Sequence, residues 1–211
     1  MRLSALLVTV ALAGCWSPAP RASVPISDRY TAVGQRPTNA ERATPPGGLD
    51  DQAIALGSPA PTASARDTSG ATWSVAAALA AQPRVVVVFY RGDWCGFCRA
   101  QLVELASQAP AFAERGAAVV AISVDSVDTS THLAEGLHLG FPLVSDPGHR
   151  LIDAFGVFDG ETEIAWPAVF IVERNARGDE VVWRWLADTF RQRIATADIL
   201  KAIDAMPSIA R

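Results

Sequence analysis

Residues 84–102 read RVVVVFYRGDWCGFCRAQL. Four valines and two aromatics run without a polar interruption, as in a strand buried on both faces. A turn through Gly92 and Asp93 follows. Two cysteines three positions apart, Cys95 and Cys98, then open an apolar pattern of helical spacing, with Leu102, Leu105, Ala109 and Phe112 on one face of a helix expected from about Cys98 to Ala113. A buried strand that feeds a helix is an α/β device. In open α/β sheets, chemistry is built beside the carboxyl ends of the strands.

The pattern continues outward from this core. AVVAISV (118–124) is a second buried strand, followed by a short helix carrying Leu133 and Leu137, for which Asp128 or Thr129 is the expected N-cap. In DPGHRLIDAFG (146–156), Asp146 caps, Pro147 takes the first helical position and Gly156 ends the helix. AVFIVE (168–173) and EVVWRWL (180–186), joined through Asn175 and Gly178, make an edge hairpin. Trp183 and Trp185 share one face of its second strand, which packing explains. A last helix spans about Thr196 to Ala205. The expected fold class is α/β, a central mixed β-sheet flanked by helices.

Composition bounds the rest. The chain has 211 residues, half of them hydrophobic, enough for one ordinary core. A net charge of −4 lacks the basic footprint of nucleic-acid binding. MRLSALLVTVALAGC (1–15) combines an arginine, an apolar stretch too short to span a bilayer and a small-residue site, the form of a secretory signal. Its end, LAGC, resembles the bacterial lipobox, in which Cys15 is lipidated and anchors the protein by acyl chains. From 16 to 46 the chain is rich in Pro, Ser, Ala, Thr and Arg without apolar periodicity, so a disordered tether is expected, with the folded domain over 47–207. The expected location is the cell envelope, facing the periplasm or exterior, where disulfides persist.

Lipidation of Cys15 leaves Cys95 and Cys98 as a pair. A metal site needs four ligands, and His132, His138 and His149 are single residues in a different region. A purely structural disulfide would close a loop too short to constrain the unfolded chain much. A redox pair fits best. A thiol at a helix N-terminus meets unpaired N–H groups and the positive end of the helix dipole, which favour thiolate. Cys95 is then the exposed nucleophile and Cys98, inside the helix, the resolving thiol. Arg99 adds positive charge, and Arg91, between strand and cysteines, can reach the site.

WCGFC (94–98) resembles the WCxxC of thioredoxin-fold oxidoreductases. FYRGDWCGFCRAQL (89–102) resembles the YRGxWCxxCRxxL of the thioredoxin-like branch of the AhpC/TSA peroxiredoxin superfamily. The likeness continues through GAAVVAISVDS (116–126), FPLVSDP (141–147) and WPAVFIVERNARG (166–178). It implies a thioredoxin-like fold and redox chemistry on protein or small-molecule thiols and disulfides, with no cofactor beyond the disulfide itself. It implies that Trp94 borders a substrate groove and that Pro167 is a cis-proline presenting backbone to substrate. Two departures matter. The buried Asp that thioredoxins place six residues before the first cysteine is Phe89 here, leaving Asp93 or Glu104 as stand-ins. The Pro and Thr of the peroxiredoxin PxxxTxxC are Val88 and Gly92. Thiol–disulfide exchange is therefore the expected activity, with peroxide reduction at Cys95 as the alternative and a non-catalytic binding or metallochaperone module behind both. Asp125 and Asp146 end strands at the same edge, where capping accounts for both.

Overall fold

In the computed structural model of the chain, residues 30–41 and 44–207 are described. The signal segment, Cys15 and the tether from 16 to 29 lie outside them.

The run that opens the analysis is β3 of the molecule, Arg84–Phe89. Val85, Val87 and Phe89 belong to one hydrophobic cluster, and Val86, Val88 and Tyr90 to another on the opposite face. Each of these side chains is 0% exposed, worth roughly 1.5–3 kcal/mol for a fully buried aliphatic side chain. Only a central strand can bury both faces in this way. β3 pairs in parallel with β4 (Ala117–Ser123) and antiparallel with β8 (Ala168–Asn175). The remaining strands are β1 (Ser64–Asp67), β2 (Thr72–Ser74), β5 (Leu143–Ser145) and β9 (Gly178–Leu186), giving a seven-stranded mixed sheet in the order β2-β1-β5-β4-β3-β8-β9. A two-stranded ribbon, β6 (Phe158–Asp159) with β7 (Ile164–Ala165), stands apart from it.

Helices cover both faces. α1 (Leu49–Gln52), α2 (Val75–Ala81) and α6 (Arg150–Ala154) contribute Leu49, Leu79, Leu151 and Ile152 to the first cluster. α3 (Gly96–Ser107), α4 (Ala109–Glu114), α5 (Val127–Gly136) and α7 (Thr196–Asp204) contribute Leu102, Phe112, Leu133 and Ile199 to the second. The α/β mixed sheet flanked by helices is the architecture expected.

Several local expectations are corrected. The helix expected through Ala113 is two helices, because Pro110, in the first turn of α4, lacks the N–H that a continuous helix requires. α5 is capped by Ser126, whose Oγ accepts from Thr129 N at 3.1 Å, and not by Asp128 or Thr129. Asp146 does hold a helix N-terminus, accepting from the amides of Arg150, Leu151 and Ile152 at 3.1, 2.8 and 3.0 Å. Pro147 lies in the turn before that helix and not in its first position. The small edge hairpin β1–β2 and the helix after it carry too few periodic residues to be anticipated.

Two further corrections concern the site. No cis peptide bond occurs among the described residues, so the Trp166–Pro167 bond is trans. Hydrogen bonds on both sides hold this segment extended, from Trp166 N to Val157 O at 2.7 Å and from Ala187 N to Pro167 O at 3.0 Å. The tether expected up to residue 46 is also too long. Tyr30 is 7% and Ala40 1% exposed; Tyr30 joins the cluster that contains both cysteines, and Arg36 lies over the Trp94 ring.

Candidate functional site

Cys95 is the N-cap of α3 and Cys98 lies in its first turn, so the fold places both at the carboxyl end of β3. The turn that delivers them is tight: Cys95 N donates to Gly92 O at 3.1 Å, and Arg99 N makes the first helical bond to Cys95 O at 3.0 Å. The two cysteines form a disulfide with their Cα atoms 5.2 Å apart, an ordinary span for such a bond. Cys98 N donates to Cys95 Sγ at 3.3 Å and Arg91 N to Cys98 Sγ at 3.5 Å. An orphan amide of the helix start thus points at the Cys95 sulfur and an amide just past β3 at that of Cys98, an arrangement that favours thiolate.

The nucleophile is not exposed as the sequence suggests. Cys95 is 3% and Cys98 0% exposed, while Gly96 and Phe97 between them face solvent, Phe97 at 49%. The residue responsible is one the sequence does not single out. Arg193, from the loop between β9 and α7, brings Nη2 to 2.9 Å from Cys98 Sγ and 3.4 Å from Cys95 Sγ. Its Nη1 donates to Phe190 O at 3.0 Å, which fixes the loop around it. Burial, and then the like charge of Arg91, push its guanidinium down to about 9, so it remains a cation at neutral pH.

Arg91 does reach the site. It is 3% exposed, with its guanidinium over the rings of Trp94 at 5.0 Å and Phe190 at 4.7 Å, a doubly stacked cation. Burial, and then Arg36, push it down to about 10. Trp94 is half-buried and packs against the cluster that contains both cysteines; its ring also carries Arg36 at 5.6 Å. Pro167 is buried, and its carbonyl is taken by Ala187.

Gly92 adopts φ 149°. A Cβ there would fall 2.5 Å from Trp94 Nε1, so Trp94 occupies the space a side chain at this position would need.

The two stand-in carboxylates have other duties. Glu104 is exposed, and its Oε1 accepts from Thr196 N at 3.2 Å, holding the start of α7. Asp93 is 0% exposed and anchors the N-terminal segment: its Oδ2 accepts from Tyr30 Oη at 2.9 Å, Val33 N at 2.7 Å and Gly34 N at 3.0 Å. Gly34 approaches so closely that a side chain there would collide with the Asp93 carboxylate. The Tyr30 ring lies 5.4 Å beneath the Arg99 guanidinium and 5.3 Å from His132. Burial, and then the bond to Asp93, keep the Tyr30 hydroxyl protonated as a donor.

Asp125 is more than a cap. Its Oδ2 accepts from Asp93 N at 2.9 Å and Ser123 Oγ at 3.0 Å, tying the loop that carries Trp94 and Cys95 to the end of β4. Burial raises this carboxyl to about 6. Among the described residues no group of three or more His, Cys, Asp or Glu side chains is placed to hold a metal.

Comparison with known proteins agrees with this geometry. The AhpC/TSA family model matches residues 56–177. Alkyl hydroperoxide reductase E of Mycobacterium tuberculosis is 33% identical over 93 residues, covering 43% of this chain and 61% of that protein. The selenocysteine-containing peroxiredoxin PrxU of Peptoclostridium acidaminophilum is 30% identical over 122 residues, 51% of this chain and 60% of that one. The chain thus spans about three-fifths of the length of these relatives. Among solved structures, peroxidoxin BcpB from Mycobacterium tuberculosis superposes with a TM-score of 0.64 at 23% identity, covering 74% of this chain and 99% of that one. Xanthomonas campestris peroxiredoxin Q gives 0.58 at 21% identity, with 79% and 98% covered. The matched segment runs from before β1 to the turn after β8 and contains both cysteines, and on it the chain belongs to the AhpC/TSA family.

Proposed function

We propose that the protein is a thiol–disulfide oxidoreductase that works through Cys95 and Cys98. The observation that carries this reading is the disulfide at the N-terminus of α3 with the Arg193 guanidinium against both sulfurs. In the reduced protein the Cys95 thiolate attacks one sulfur of a substrate disulfide. A mixed disulfide forms and one substrate thiolate leaves. The Cys98 thiolate then attacks Cys95 Sγ and releases the second. Two electrons pass to the substrate, both substrate thiolates take protons from solvent, and the Cys95–Cys98 bond forms. Cys98, fully buried, reacts only within the molecule.

A second reading, peroxide reduction, is favoured by the relatives, whose names are those of peroxiredoxins and an alkyl hydroperoxide reductase. Here the Cys95 thiolate would take an oxygen from the peroxide, releasing an alcohol or water and leaving a sulfenic acid that Cys98 condenses to the disulfide with loss of water. Gly92 speaks against it, since the threonine that orients peroxide in peroxiredoxins has no room beside Trp94.

The proposal extends to location. The lipobox-like LAGC and the polar stretch after it support a domain held at the cell envelope through acyl chains on Cys15, facing the periplasm or exterior. A role in envelope redox homeostasis follows from that placement.

The test offers the fully reduced protein hydrogen peroxide and a protein disulfide separately and follows loss of free thiols. Rapid oxidation by the disulfide with sluggish oxidation by peroxide is expected. Cys98→Ser should trap the mixed disulfide and Cys95→Ser should abolish turnover; turnover retained in Cys95→Ser sinks the assignment.

A further inference from the structure

Around the disulfide the arginines keep unusual company. Elsewhere, Arg84 pairs with Glu173, Arg115 with Asp204, Arg174 with Asp179 and Arg184 with Asp50. At the redox site, Arg91, Arg99 and Arg193 form no ion pair with any carboxylate among the described residues. Arg91 meets two ring faces. Arg99 donates to the Asp93 backbone at 2.8 Å, and Arg193 reaches carbonyls and sulfur. The Nε atoms of Arg99 and Arg193 are buried without a hydrogen-bond partner. The carboxylates that act on Arg91 through space, Asp159 and Glu41, are engaged: Asp159 accepts from Thr162 Oγ1 at 2.7 Å and Glu41 binds Arg36 at 2.5 Å. The nearby carboxylates of Asp93 and Asp125 are turned to other donors, Tyr30 and the amides of Val33 and Gly34 for the first, Asp93 N and Ser123 Oγ for the second. In a chain of net charge −4, three guanidinium groups without a paired carboxylate are thus gathered around the reacting bond. Desolvated guanidinium groups are recognition elements for planar anions, which they bind through paired N–H donors.

We propose that the site selects thiol or disulfide substrates bearing a carboxylate within a few atoms of the reacting sulfur, a deepening that rests on the exchange reading above. The carboxylate relieves the repulsion among the arginines as it docks, and the departing thiolate forms in the same positive field. The bond changes are those of exchange: the Cys95 thiolate displaces a carboxylate-bearing thiolate, and Cys98 releases the other half.

The experiment oxidises the reduced full chain with three small disulfides: dithiodipropionate, a dianion; bis(2-hydroxyethyl) disulfide, neutral; and cystamine, a dication. Each rate is divided by that of the same disulfide with free dithiothreitol, which removes differences in leaving group. One unit charge several ångströms from the guanidinium groups should favour the dianion over the neutral disulfide by roughly tenfold to a hundredfold at low salt, with cystamine slowest. The ratio should shrink as salt is added, and Arg91→Met should lower it. Normalised rates that are equal for the dianion and the neutral compound, or that ignore salt, overturn the proposal while leaving exchange intact. Failure of all three to oxidise the protein removes the exchange reading itself.

Discussion

Replacing Arg193 by methionine keeps the length of the side chain and removes its charge from beside the sulfurs. Arg193 Nη2 stands 3.4 Å from Cys95 Sγ. A unit charge pair at that distance is worth about 1.2 kcal/mol in bulk water and about 4.9 kcal/mol at an effective dielectric constant of 20. Cys95 is buried but Arg193 is only half-buried, so the lower part of that range applies, about 1.5–2.5 kcal/mol. Without the cation the Cys95 thiol should therefore titrate about 1–2 pH units higher than in the wild type. The reduced form loses the same stabilisation at pH values where the wild-type thiolate is populated. The disulfide should then become less oxidising, its potential falling by about 30–55 mV. Rates of alkylation below both titrations fall by less than the thiolate fraction does, because a thiolate of higher pKa is the better nucleophile. The assay is a pH titration of thiolate absorbance in Cys98→Ser and in Cys98→Ser/Arg193→Met, with redox equilibration against glutathione for the two proteins that keep both cysteines. A titration midpoint and potential unchanged by the loss of Arg193 would refute the electrostatic role, leaving the guanidinium as a cover over the disulfide.

Three further outcomes are expected. Gly92→Thr, which restores a peroxiredoxin residue, should lower the free energy of unfolding in urea by about 1–3 kcal/mol and bring no gain in peroxide rate, since its Cβ collides with Trp94 at a φ that side chains rarely adopt; a stable variant with faster peroxide reduction would reverse the order of the two functional readings. Asp125 titrates at about 6 in the fold against an ordinary 3.8, so the native state binds its proton more tightly than the unfolded chain does. Ionisation of this buried group therefore costs the fold on the order of 2–3 kcal/mol above pH 6, a cost that is relieved as pH falls from about 6 towards 4. Thermal denaturation of wild type and Asp125→Asn across that window should differ in slope accordingly, and parallel profiles would contradict it. Glu173→Ala leaves Arg84 buried without its partner, 2.7 Å away in the wild type, and should cost about 3–5 kcal/mol in urea denaturation; exchange by the folded fraction should be unaffected, because the pair sits at the opposite end of β3 from the cysteines.

Much of the site was legible in sequence because it is local. The cysteine pair, the strand that delivers it and the helix it caps occupy one continuous stretch, where hydrogen-bonding geometry follows from spacing alone. Trp94 and Arg91 came with it, being neighbours of Cys95 in the chain. The cis geometry expected at Pro167 came from resemblance, and the hydrogen bonds of Trp166 and Ala187 hold a trans, extended chain there instead. Tyr30 carried a faint signal, an aromatic in a polar stretch, yet composition pointed to a tether. Its docking depends on Asp93, 63 residues away, whose carboxylate gathers a hydroxyl and two amides in a buried pocket.

The sequence by itself determined the central strand, the placement of Cys95 and Cys98 at a helix start and the redox character that follows, because these rest on the periodicity of burial and on backbone groups within a few residues. The tertiary structure alone decided which charge touches the sulfurs. Arg193 lies 98 residues beyond Cys95, in a loop without periodic pattern, and only the packing of that loop against α3 brings it to the disulfide. Local pattern is written by short-range hydrogen bonding, whereas the electrostatics of a site are also set by distant side chains that the folded sheet carries to the same point.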